Sequence, residues 1–262
     1  MTTESATTCV TASRLSSFLS RYAAAMLGCG ATCIRLTRNV DRIAGVMGMK
    51  VEITIMPRHI HLSVINPQTG ELLTTIESMS KCGISFNVNT RLSQLSWEIA
   101  DGKIGFDEAE RRFEDIMTHD GQNPLMVLVL ASLANASFCR LFGGDLAAMA
   151  VVFIATAAGY YIKQQMLARK YDLRVTVFVC AFVSSVIAAA DSLFALGGTP
   201  SIALATSALY LVPGIPFLNS FSDMLYRHYI CSFSRFIDAT VITCCLSAGL
   251  CLGMLLMKAG MF

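Results

Sequence analysis

Charge is what this sequence has least of. Asp, Glu, Lys and Arg make up 15% of its 262 residues, against about 25% in an ordinary soluble domain. The shortfall is uneven. Residues 123–262 contain no Glu, five Asp and eight Lys or Arg, whereas residues 1–122 hold 12 basic and 13 acidic side chains. The first part therefore has soluble composition and the second has membrane composition. The net charge is only +2 and no basic block is present, which argues against a nucleic-acid partner. Residues 1–10 lack the basic stretch and apolar core of a cleaved leader. No two of the ten cysteines form a Cys-x-x-Cys pair, and Cys180, Cys244, Cys245 and Cys251 lie inside apolar runs. They read as reduced packing side chains rather than a disulfide or metal framework. Also missing are a G-x-G-x-x-G, a phosphate loop and a G-x-S-x-G. Without a nucleophile–base set, the chain is expected to have no catalytic residues, no metal, no cofactor and no enzymatic activity. His59 and His61 share a strand face as an admissible metal pair but lack further ligands at a recognisable spacing. Cys29 and Cys33 stand one helical turn apart, which a packed helix face explains.

What is present is periodicity. Leu15, Phe18, Leu19, Tyr22 and Met26 repeat at helical spacing. After the Gly28-Cys29-Gly30 break, Cys33, Leu36, Val40, Ile43 and Met47 do the same, with Arg35, Arg38, Asp41 and Arg42 opposite. The period then becomes two: Val51, Ile53, Ile55, then Ile60, Leu62, Val64. Turn residues 66–70 lead to a third strand over 71–76. A helix near 91–100 around Trp97 follows, and another carries Phe106, Ala109, Phe113 and Ile116. Residues 1–122 are thus expected to form a small α+β domain.

Residues 123–262 contain apolar runs at about 124–141, 146–162, 175–196, 202–218 and 236–257, each near the roughly 17–25 residues that cross hydrocarbon. The fold class is an α-helical polytopic membrane protein of about five spans with an N-terminal α+β domain. Flanking basic residues set the orientation. Lys163, Arg169, Lys170, Arg174, Arg227 and Arg235 fall on one side, against Arg140 and Lys258 on the other. The six belong in the cytoplasm with the N-terminal domain, and the C-terminus in the periplasm.

Polar groups inside the spans exceed what an anchor needs. Asn135 lies mid-span and Asp191 in the outer third of its span, where an ionisable group faces a cavity or sits at the interface. Asp238 reads as interfacial. Gly249 and Gly253 favour close helix packing, within the bundle or with another subunit. The sharpest feature is Leu211-Val212-Pro213-Gly214-Ile215-Pro216 in the fourth span. Its prolines remove backbone donors and break the helix at depth, as in many transporter sites, although a plain packing kink is the alternative. A helix restarting near Phe217 would aim its free N–H groups at a substrate carboxylate. Asn219 and Ser220 would then lie in its first turn, and Asp191 could carry a coupling proton. Pro213, Gly214, Pro216, Asn219 and Ser220 are the candidate substrate-binding residues, with Asp191 and Asn135 along the pathway.

The order of a soluble domain, Phe142-Gly143-Gly144-Asp145, then Val212-Pro213-Gly214-Ile215-Pro216 and Asn219 resembles the threonine/serine exporter family. Gly30-Ala31 with Arg35 resembles that family's Gly-Ala-Glu-x-x-Arg signature, with Thr32 in place of the Glu. The resemblance runs from about residue 14 to 258. It implies the longer, YjjP-like N-terminal subunit of the split two-component kind, in a bacterial inner membrane. It also implies export of succinate or of threonine and serine, with a smaller, YjjB-like membrane subunit as partner in a homo- or hetero-oligomer. Two other readings compete: a membrane-anchored sensor whose soluble domain binds a metabolite, and a tethered hydrolase.

Overall fold

The structure is a computed structural model that describes residues 12–79, 83–118, 123–194 and 197–257, with backbone alone for 191–194. The described residues group into two compact units. The first joins residues 12–118 to Ile215–Phe236, and the second joins residues 123–214 to 237–257. One break between the units falls near residue 120, and the first unit also takes in residues 215–236 from the apolar half.

In the first unit, α1 (Ala12–Gly28) and α2 (Cys33–Val46) precede an antiparallel sheet of β1 (Lys50–Ile55), β2 (His59–Ile65) and β3 (Leu72–Ser78), in the order β1-β2-β3. Helices α3 (Phe86–Ala100) and α4 (Phe106–Thr118) follow. The alternation along β2 works as expected: Ile60, Leu62 and Val64 are buried while His59 and His61 are exposed. Among the described residues no group of three His, Cys, Asp or Glu could hold a metal. The apolar faces of α1–α4 and β2 merge into one core around Leu15, Tyr22, Leu36, Leu62 and Leu92. Phe18 packs edge-on against Phe106 at 5.3 Å and Phe113 at 5.7 Å. The fully buried Tyr22 hydroxyl donates to the Leu92 carbonyl at 2.7 Å, which removes the cost of an unpaired hydroxyl. Helix α3 begins at Phe86, earlier than the expected start near 91, because Ser85 caps it by accepting from the Val88 N–H.

The second unit contains α5 (Pro124–Leu141), α6 (Leu146–Ala168), α7 (Leu173–Phe194), α8 (Pro200–Ser207) and most of α10 (Tyr229–Leu256). Among the described residues, four helices are long and apolar enough to cross a membrane. A fifth candidate is the bent pair of Pro200–Leu211 and α9 (Gly214–Leu225), a broken span or a re-entrant loop. Two expected ends move outward along the chain. Helix α6 continues from Lys163 through Ala168, since Gln and Met sustain a helix after the apolar run stops. Helix α10 starts at Tyr229 rather than 236. The hairpin turns at 142–145 and 197–200 are tied by Asp145. It caps α6 at the Ala148 N–H (2.7 Å) and accepts from the Gly198 N–H (2.6 Å), while its own N–H donates to Thr199 Oγ1 at 3.0 Å.

Candidate functional site

The fourth apolar run is not a continuous helix. Helix α8 stops at Ser207, a 3-10 turn covers Leu209–Leu211, and Pro213 offers no N–H to carry the ladder on. The Gly214 N–H turns back to the Val212 carbonyl at 2.6 Å. Helix α9 then restarts at Gly214, three residues before the expected Phe217. Pro216 therefore sits in the first turn and removes one of the donors expected there. Asn219 and Ser220 move to the second turn. Gly214 itself borders open space, since a Cβ built on it meets nothing within 4 Å.

The termination of α8 leaves orphan carbonyls in the apolar second unit. Buried Asn135 of α5 reinforces the end of the helix: its Nδ2 donates to the Thr206 carbonyl, which also accepts from the Ala208 N–H, at 3.0 Å and to Thr156 Oγ1 of α6 at 2.6 Å. Nearby, the Tyr210 hydroxyl of the 3-10 turn and Ser184 Oγ of α7 share a hydrogen bond at 3.0 Å. A Cβ at Gly159 of α6 would collide with both hydroxyls, so only glycine lets α6 pass there. Asn135 thus ties α6 to the end of α8.

The first unit holds a second polar centre that sequence reasoning missed. Gly30, with φ +86, turns the chain from α1 into α2. The backbone polar groups of this turn are bonded by residues 189 to 204 positions away. Asn219 Nδ2 donates to the Gly30 carbonyl at 2.8 Å, and Arg235 Nη2 donates to the Ala31 carbonyl at 2.8 Å. The first amide of α2, that of Cys33, donates to Asp223 Oδ1 at 2.8 Å. Thr32, in the N-cap position, makes no capping bond of its own, so the fully buried Asp223 caps α2 instead. Asp223 Oδ2 and Arg235 Nη1 lie 2.9 Å apart, but the angle falls short of a hydrogen bond. Cys33 and Cys231 are buried thiols of one core, and Cys231 Sγ donates to the Ile55 carbonyl at 3.3 Å. The Cys231 thiol, together with burial, pushes the Cys33 thiol above its ordinary range. Ser220 and Ser232 exchange hydroxyl-to-carbonyl bonds of 2.8 Å between α9 and α10. Asn219 and Ser220 therefore both bond to protein. A sequence signal for Asp223 existed in its position inside an apolar stretch, but nothing local named its partner.

The remaining candidates separate. Asp191 lies on the α7 backbone and its side chain is outside the described residues. Asp238 is exposed and 3.7 Å from Arg174, in keeping with an interfacial position. Gly249 and Gly253 face α7 of the same chain. A Cβ at Gly249 would strike the Phe178 carbonyl oxygen and one at Gly253 would strike Ser185 Oγ. Within the chain, both glycines serve close packing of α10 on α7.

Residues 17–257 match the sequence profile of the family described as "Putative threonine/serine exporter". Among curated proteins, the chain is 30% identical over 215 residues to the "Probable succinate transporter subunit YjjP" of Klebsiella aerogenes, covering 81% of this chain and 82% of that one. It is 28% identical over 210 residues to the Escherichia coli protein of the same description, covering 78% and 79% respectively. No solved structure matches.

Proposed function

The chain belongs to the threonine/serine exporter family and is a membrane transport protein; on that premise we propose that it is one subunit of a secondary exporter of small carboxylate-bearing metabolites. The observation that carries this reading is the helix broken at Val212-Pro213-Gly214, with polar side chains gathered at the end of α8. Interrupted helices leave backbone groups free for a polar substrate where lipid offers none. Pro213, Gly214 and Pro216 shape the break. Asn219 and Ser220 hold α9 through their bonds to Gly30 and Ser232. Asn135 lines the α8 side, and Asp191 is the carboxylate proposed to carry a coupling proton. The relatives' description names succinate and calls each protein a subunit. By extension, the cargo here is succinate or, as the family's description suggests, threonine or serine, and a smaller membrane subunit completes the carrier. The membrane is the bacterial inner membrane, with the N-terminal unit in the cytoplasm and the C-terminus in the periplasm.

Reconstitution of the purified chain, with and without the smaller subunit, in liposomes loaded with labelled succinate, threonine or serine tests this reading. Flux of at least one solute is expected when both subunits are present. Gly214→Leu is the informative variant: its Cβ meets no neighbour and its φ is not positive, so the protein should insert normally while the added side chain obstructs the opening. Asn135→Ala should also lower flux, and Asp191→Asn should remove its dependence on a pH gradient. No flux of any of the three solutes, or parent-level flux in Gly214→Leu, would refute the reading.

A further inference from the structure

The first unit contains a bound carboxylate, and it is the protein's own. Asp223 is fully buried, and its Oδ1 is held by the first amide of the 14-residue helix α2. Its Oδ2 faces the Arg235 guanidinium at 2.9 Å without an aligned hydrogen bond. A helix N-terminus, a converging guanidinium and a buried carboxylate between them are the elements of an anion site. The usual partner of such an Arg is a bidentate carboxylate, and Asp223 does not reach that geometry. Arg235 instead spends Nη2 on the Ala31 carbonyl. Asp223 is also carried by the short helix α9, which ends at Leu225 and is followed by a left-handed Arg227 (φ +64) in the turn into α10. The native cap position, Thr32, leaves the α2 terminus to whichever carboxylate arrives.

We infer that Asp223 is an internal occupant of a carboxylate-binding site formed by the Cys33 amide, the α2 N-terminus and Arg235, and that a carboxylate of the transported solute takes its place when α9 moves. This assignment rests on the proposed export of carboxylates and gives that substrate class a named cradle. Occupation by Asp223 keeps the site closed and resets it after release. The competition also sets an expected magnitude. A site open in about 1–10% of molecules binds about 10–100-fold more weakly than the same site held open.

Asp223→Asn preserves shape but turns a donor toward Arg235, so the occupant is weakened. In the purified full-length chain, succinate should bind Asp223→Asn about 10–100-fold more tightly than the parent, and succinamide, its uncharged analogue, should bind neither. Arg235→Gln should abolish succinate binding. A second measurement uses the parent alone. The proposed movement of α9 away from the α2 N-terminus loosens the packing around Cys33, which is fully buried, so succinate should raise the rate at which N-ethylmaleimide labels the Cys33 peptide, and succinamide should not. Equal succinate affinity in Asp223→Asn and parent, or unchanged Cys33 labelling, would overturn the inference. Because these readouts are binding and labelling, a chain that transports succinate yet fails both tests loses this site while the export reading stands. A chain that passes them without flux does the reverse.

Discussion

Replacing Gly249 by Ala should destabilise the protein far more than the same change at Gly253, although both glycines sit on one face of α10 against α7. At Gly249 the new methyl meets backbone: the Phe178 carbonyl oxygen and the Phe182 N at 3.1 Å, besides the Ala181 Cβ at 3.0 Å. None of these can rotate away, so the helices must part, at the upper end of the overpacking range, about 3 kcal/mol. Ala returns about 1 kcal/mol of helix propensity, which leaves a net loss of about 2 kcal/mol. At Gly253 the first obstacle is Ser185 Oγ, the end of a short side chain that now bonds the Phe182 carbonyl at 2.8 Å, and behind it stand the Ser185 Cβ at 3.0 Å and the Phe182 carbonyl oxygen at 3.1 Å, contacts that a shift of a few tenths of an ångström relieves. Rotating it sacrifices a hydrogen bond of about 1 kcal/mol, and the propensity gain offsets that. Thermal unfolding in detergent, followed by loss of the monodisperse chromatographic peak, should therefore show Gly249→Ala melting about 4–8 °C lower, at about 2–4 °C per kcal/mol for a chain of this size. Gly253→Ala should melt within about 2 °C of the parent by the same conversion. Adding Ser185→Ala to Gly253→Ala should raise the melting point again. Parent-like melting of Gly249→Ala, combined with a change in oligomer size, would refute the reasoning and return these glycines to a subunit interface.

Two further outcomes are expected. The Ala148 and Gly198 amides hold the Asp145 carboxyl below its ordinary value, so its contribution to stability is complete at neutral pH. It is lost only as pH falls below about 4, the unfolded value, and through the lower folded one; melting of Asp145→Asn should lack that part of the acid dependence, and parallel curves for variant and parent would count against the double tie. Reporter fusions at Asp172 and Arg227 should report cytoplasm, and those at Gly143, Gly198 and Phe262 periplasm; a cytoplasmic Phe262 would overturn the orientation.

The elements were legible in the sequence wherever burial imposes a period. The alternation of Ile60, Leu62 and Val64 marked β2, and the 3-and-4 spacing of Cys33, Leu36, Val40 and Ile43 marked α2, because each places one face in the core. Apolar runs placed the spans but not their ends: apolarity reports hydrocarbon, whereas helices stop where hydrogen bonds or caps say so. Pro213 announced the break, yet the restart at Gly214 depended on a local turn that two prolines alone do not fix. The site was less legible still. Arg235 was counted as a flanking basic residue, and the structure gives it a buried carboxylate and a carbonyl to bind. Pairings such as Cys33 with Asp223 leave no local pattern, because a cap supplied from 190 positions away has no periodicity.

That separation also orders events during synthesis. A ribosome adding about 5–20 residues per second needs about 10–40 s to pass from Cys33 to Asp223. Throughout that interval α2 has no distant carboxylate on its first amide. Cys231, which joins the same core and bonds the Ile55 carbonyl, is still unmade. The N-terminal unit therefore emerges first and is finished late, after three apolar helices have already left the tunnel. Truncation at residue 122 would not reproduce the unit, because the residues that close it belong to the last third of the chain.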